Sequence, residues 1–173
     1  MDLPRPYSKV NQNIKWKPPE IDKLKLNIYV AVTIGCSFIG VSGVVRNSKG
    51  WVVAAVTHRT ISFYDPFIVE CIALLECLQF CFESNVHPDL IETDSTRVID
   101  AIRERSTSFV EAHIISDVLH LLVLLGNVGA SFIACQGNMA THNLASYDFN
   151  VCTNDTIPAC ISEVVMEDLS SLV

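Results

Sequence analysis

The chain has 173 residues and a mass of 19.1 kDa, room for one domain of ordinary size plus a short tail. Half of its residues are hydrophobic, 18% are charged and the mean hydropathy is +0.35, which excludes a disordered chain and requires a filled core. No apolar run reaches membrane length: the stretch at 67–82 is interrupted by Glu70 and Glu76, and that at 114–125 is too short. The start, MDLPRPYSKV, lacks the apolar centre of a secretion signal, so an intracellular setting is expected, with cytoplasm and nucleus both open and no membrane contact.

Charge is unevenly placed. Residues 1–25 carry a net +3, residues 26–147 a net −5 and residues 148–173 a net −5, giving −7 in all. A polynucleotide binder commonly carries a basic stripe, because phosphate neutralisation supplies much of its affinity. Here only the N-terminal segment is basic, so any grip on nucleic acid is expected to be weak. The seven cysteines (36, 71, 77, 81, 135, 152, 160) form no C-x-x-C pair and, with no export signal, read as reduced, core-filling thiols.

In chain order, residues 1–23 are polar and proline-bearing, closing on Trp16-Lys17-Pro18-Pro19. They read as an extended lead-in in which Trp16 pins the segment to the core. Leu24–Thr33, Gly40–Arg46 and Trp51–Thr57 read as strands, the last two joined by a hairpin turn at Asn47-Ser48-Lys49-Gly50. Trp51 is expected to pack across the sheet. From Pro66 to about Glu83 apolar residues at helical spacing crowd nearly all round, which predicts a helix buried on more than one side. Leu90–Thr93 is a short strand. Asp94-Ser95 sits at an N-cap before a helix ending near Arg103, and a second helix covers about Glu111–Leu124. Ala130–Cys135 is a fifth strand and Asn138–Tyr147 a last short helix. On the helix at 111–124, His113, Asp117 and His120 read as a solvated face rather than a metal site. The expected organisation is a lead-in at 1–23, a domain at 24–147 and an acidic tail at 148–173, with one helix near Ile161–Leu169. The order β-β-β-α-β-α-α-β-α predicts an α/β fold: a mixed five-stranded sheet, three antiparallel strands followed by αβ units, with helices on both faces.

These elements and their residues resemble the ribonuclease H type 1 domain, and more narrowly its plant reverse-transcriptase-like branch. The matching pieces run in order over about residues 16–147: W-K-P-P at 16–19, L-K-L-N at 24–27, Gly40-x-x-Gly43-Val44-Val45-Arg46-x-x-x-Gly50, Glu70-x-x-Ala73-Leu74, Glu92-Thr93-Asp94-Ser95 and Asn138-x-x-x-His142-x-Leu144-Ala145. The resemblance implies a ribonuclease H-like fold, an RNA/DNA hybrid as nucleic-acid partner, and Mg2+ or Mn2+ as cofactor for phosphodiester hydrolysis. Such chemistry uses two divalent ions about 4 Å apart, one activating water and one steadying the leaving oxygen. Magnesium takes hard oxygen ligands, and active relatives converge four carboxylates for it.

Two of those four positions stand here as Glu70 and Asp94, the residues expected to hold any metal, and then only weakly. The other two are replaced. Where the family pattern has L-N-x-Asp-Gly-Ala, this chain reads Leu26-Asn27-Ile28-Tyr29-Val30-Ala31, so Tyr29 takes the place of the bridging aspartate. A phenol with a pKa near 10 is neutral at pH 7 and a poor magnesium ligand. His142 takes the fourth place, and imidazole suits transition metals better than magnesium. Asp94 has a structural role open to it as well, as a helix cap beside Ser95. The nucleic-acid contacts expected from the resemblance are Arg46, Lys49 and Asn138. Three functional readings follow: a hybrid ribonuclease with a degraded site and little or no hydrolysis, a non-catalytic module that binds nucleic acid or a protein partner, and an unselected retroelement remnant.

Overall fold

Residues 24–32 carry a run of β-branched and aromatic side chains, and they form the central strand β1 (Leu24–Val32) of the structure, a computed structural model that describes residues 15–32, 38–61, 65–105, 112–145 and 151–152. Alternation along β1 directs Leu26 and Ile28 to one face and Lys25 and Asn27 to the other. β2 (Phe38–Asn47) pairs antiparallel with β1, and β3 (Val52–Ile61) pairs antiparallel with β2. The intervening turn is locked by Asn47, whose Oδ1 accepts from the backbone N–H groups of Lys49 and Trp51 at 3.0 Å each. Gly50 at φ 78° supplies the left-handed backbone the turn requires. β4 (Leu90–Thr93) runs parallel to β1, and β5 (Gly129–Phe132) runs parallel to β4.

The expected sheet of five strands is one short. Val151–Cys152 forms a two-residue β6, antiparallel to β3 at Ala55 and Val56, and the order is β5-β4-β1-β2-β3-β6. A two-residue strand is too brief to carry an alternation signal, which is why it passed as part of the tail. Two boundaries move by three residues or more: β3 extends to Ile61 beyond the expected Thr57, and β5 ends at Phe132 rather than Cys135. The helix expected near Ile161–Leu169 lies outside the described residues.

Helices cover both faces, as the β-β-β-α-β order predicts. α1 (Pro66–Glu83) starts at a capped proline, with Asp65 Oδ1 accepting from Phe67 N at 2.8 Å. α2 (Thr96–Glu104) and α3 (Ala112–Leu124) follow β4, and a 3-10 turn at Cys135–Asn138 leads into α4 (Met139–Ala145). Residues 42 and 43 of β2 show the two layers. A Cβ on Gly43 would meet Cys77 Sγ of α1 at 2.8 Å, whereas Ser42 Oγ reaches the opposite way and donates to Thr141 O of α4 at 2.7 Å. The core is the α1 layer: Leu26, Ile28, Val45, Ile91, Ile115 and Val118 close around α1, whose Cys71, Cys77 and Cys81 are buried filling residues.

The opposite face of β1 is polar and equally dry. Trp16, from the expected lead-in, is fully buried; its Nε1 donates to Asn27 Oδ1 at 2.9 Å, and its ring lies 3.5 Å from the Arg46 guanidinium. Residues 16–19 are therefore part of the packed body, and the expected boundary at 24 falls inside it.

Gly43→Ala should destabilise the fold by about 1–3 kcal/mol in urea unfolding, since the new methyl overlaps Cys77 Sγ in a core with no slack. Adding Cys77→Ala should return part of that loss, a coupling absent when Gly43→Ala is paired with a surface substitution.

Candidate functional site

At the C-terminal ends of the parallel strands β1 and β4, Ile28, Tyr29, Val30, Glu70, Thr93 and Asp94 line a cavity of about 130 Å3. β1 supplies Tyr29, the second turn of α1 supplies Glu70, and Asp94 follows β4 at the entry to α2. α4 brings His142 against Tyr29, with ring centroids 4.6 Å apart and planes inclined at 70°. The four positions singled out in the sequence thus converge from four elements.

The electrostatics follow from partial burial. Burial pushes the Glu70 carboxyl above its usual range; a hydrogen bond donated by Ser95 Oγ opposes that shift and the nearby Asp94 charge adds to it. Burial likewise raises Asp94, with a bond from its own backbone N–H and the proximity of His142 acting the other way. The Tyr29 phenol is raised by burial, then by Cys135 and Asp94, so it stays protonated. Burial also raises the neighbouring Cys135 thiol. Asp94 is not the helix cap. Ser95 is, its Oγ accepting from Val98 N at 3.4 Å, so the structural alternative considered for Asp94 passes to its neighbour.

Two magnesium ions need several hard oxygen donors on one centre. This cavity offers two carboxylates, one already engaged by Ser95, beside a neutral phenol, a thiol and an imidazole. Among the described residues no group of three or more His, Cys, Asp or Glu stands close enough to hold a metal ion. The donor set does not fit a two-magnesium centre.

Two of the three expected nucleic-acid contacts are corrected. Arg46 is fully buried under Trp16, with Nη2 3.3 Å from Asn27 Oδ1, and does not reach the surface. Its place in a strand of otherwise apolar or small residues was the available signal for burial. Asn138 is also fully buried: Nδ2 donates to Ile28 O at 2.7 Å, and Thr141 Oγ1 donates to its side-chain oxygen, which ties the 3-10 turn to β1. Lys49 alone is exposed, at the hairpin tip. Sequence reasoning missed the approach of Cys135 to Tyr29, two residues 106 positions apart that share no local signature.

The reverse transcriptase-like family matches residues 34–148 of the chain. The chain belongs to that family. No curated protein sequence matches it. Among solved structures, the fold of this reverse transcriptase-like chain is similar to that of ribonuclease H1 from Halobacterium salinarum (16% identity over 67% of this chain and 89% of that one, TM-score 0.56). It is also similar to LC11 ribonuclease H1 solved with an RNA/DNA hybrid (12% identity, 70% and 93% covered, TM-score 0.61). The N-terminal ribonuclease H domain of Rv2228c from Mycobacterium tuberculosis compares at 13% identity, 84% and 96% covered, TM-score 0.60. The reverse transcriptase-like chain has the ribonuclease H fold.

The raised carboxyls fix a sign. A carboxyl whose pKa is higher folded than unfolded costs stability wherever it is ionised, and that cost fades as pH falls through the folded pKa to the ordinary one. Asp94→Asn should therefore raise the melting temperature at pH 7, with the gain shrinking as pH falls and largely gone below about pH 4. Melts at the two pH values check it; an equal gain at both, or a loss at pH 7, contradicts the assignment.

Proposed function

We propose that this chain is a ribonuclease H-type nucleic-acid-binding domain that no longer hydrolyses the RNA of an RNA/DNA hybrid. The observation that carries this reading is Tyr29: a protonated aromatic residue, packed edge-on against His142, lines the same cavity as the two carboxylates that the resemblance marks as metal ligands. Hydrolysis through two ions needs a bridging oxygen anion there, and a neutral phenol is not one. Loss of a single electrostatic group of this kind costs about 10²–10³ in rate, and loss of the bridge should cost at least as much. Nucleic-acid contact as the retained property is supported by the fold, shared with a domain solved on an RNA/DNA hybrid. The acidic balance of −7 makes the expected contact weak and strongly salt-dependent.

Cleavage of a labelled RNA/DNA hybrid in magnesium, and separately in manganese, tests the proposal. The native chain should be silent, and the combined Tyr29→Asp, Val30→Gly, His142→Asp variant should cut. Cleavage by the native chain that Glu70→Ala abolishes would overturn it.

A further inference from the structure

The hairpin between β2 and β3 presents an arrangement that the degraded cavity does not use. Trp51 is 60% exposed, against the expectation that it packs across the sheet, and Lys49 Nζ lies 4.9 Å from the centre of its ring. The tip is rigid: Asn47 Oδ1 holds the backbone N–H groups of both Lys49 and Trp51, Asn47 and Trp51 share a backbone hydrogen bond at 3.0 Å, and Gly50 fixes the turn. An indole held in water on a rigid turn with an ammonium at its face presents two features at fixed spacing, a flat π surface and a positive charge.

The same end of the sheet receives the basic segment of the chain. Lys15 and Lys17, both exposed, flank Trp16, whose ring stacks on Arg46. Arg46 pairs in the sheet with Val52, the residue after Trp51. Trp16 thereby brings Lys15 and Lys17 to the hairpin end of the sheet, while the residues of the tip from Asn47 to Trp51 contain no acid.

We infer that this hairpin is a stacking subsite for single-stranded nucleic acid: a base lies on Trp51, and the adjoining phosphates meet Lys49, Lys15 and Lys17. Charge and shape complementarity select this occupant, because a nucleotide joins a flat aromatic ring to an anion, the counterpart of an indole beside an ammonium. Base-on-aromatic stacking of this kind tolerates any sequence, and its partner lysines make it salt-sensitive. The inference rests on the nucleic-acid-binding half of the proposal above and is independent of whether the cavity cuts.

The chain has two tryptophans, one fully buried and one exposed, so fluorescence reads the subsite directly. Titration with a dT12 oligonucleotide at 50 mM salt should quench the exposed component to saturation. In anisotropy with labelled dT12, Trp51→Leu should weaken binding about tenfold, the order expected for one stacked base. Lys49→Gln should lower the slope of log affinity against log salt by about 0.7. Trp16 emission in the Trp51→Leu variant reports that the fold is intact. Binding of dT12 that Trp51→Leu leaves unchanged overturns the subsite and leaves the proposed function standing. Absence of binding to both dT12 and an RNA/DNA hybrid overturns both. Self-association of the native chain that Trp51→Leu abolishes, without dT12 quenching, assigns the tip to a protein contact instead.

Discussion

A lysine cannot be taken out of water cheaply, and the way Lys25 is accommodated sets the register of the whole sheet. Its side chain is almost wholly buried, with Nζ donating to Glu92 Oε1 at 2.7 Å and to Lys17 O at 2.8 Å. Glu92 Oε2 accepts in turn from Asn27 Nδ2 at 3.0 Å, and Asn27 Oδ1 accepts from Trp16. Removing one partner of such a pair leaves an uncompensated buried charge, a loss of about 3–5 kcal/mol. Because strand side chains alternate, a slip of one residue in β1 would drive Lys25 and Asn27 into the apolar layer under α1 and strand Glu92. The pairings Lys25 with Arg46 and Asn27 with Glu92 are therefore fixed by charge as much as by hydrophobic pattern.

The cavity shows a different use of the same strand. Two residues beyond Asn27, Tyr29 makes an aromatic contact between β1 and α4. Glu70 and Asp94 both line the cavity and both are raised by burial, Glu70 also by the nearby Asp94 charge. Ser95 serves two masters, capping α2 through one interaction and holding Glu70 through the other. The carboxylates thus carry the electrostatic burden of a metal centre without donors enough to complete one.

Much of this was legible in the residues, and the failures have definite causes. The strands of β1 and β2, the helix from Pro66 to Glu83 and the strand at Leu90–Thr93 stood out because their apolar periods are long or bounded by capping residues and turns. The convergence of Tyr29, Glu70, Asp94 and His142 was legible through family spacing, not through any local pattern. Arg46 and Asn138 were misread because a charged or amide side chain is exposed by default, and only the tertiary positions of Trp16 and Ile28 reveal that these two are buried and bonded. Trp51 erred in the opposite direction: an aromatic in a strand packs inward by default, but β3 begins one residue later, at Val52, and leaves Trp51 in the turn. β6 and the approach of Cys135 to Tyr29 left no signal that one sequence can carry.

The indole of Trp16 has a bearing on where this domain begins. Read by composition, residues 1–23 are a polar lead-in that Trp16 pins to the core, with two prolines and four charged residues after Trp16. Physically, residues 15–23 form a lid over a polar interior: cut away, they would leave the Arg46 guanidinium, Asn27 Oδ1 and Lys25 Nζ facing solvent from a surface shaped to be dry. The dryness of that polar layer therefore depends on a residue upstream of the first strand, and the W-K-P-P segment is as much a wall of the interior as β1 itself.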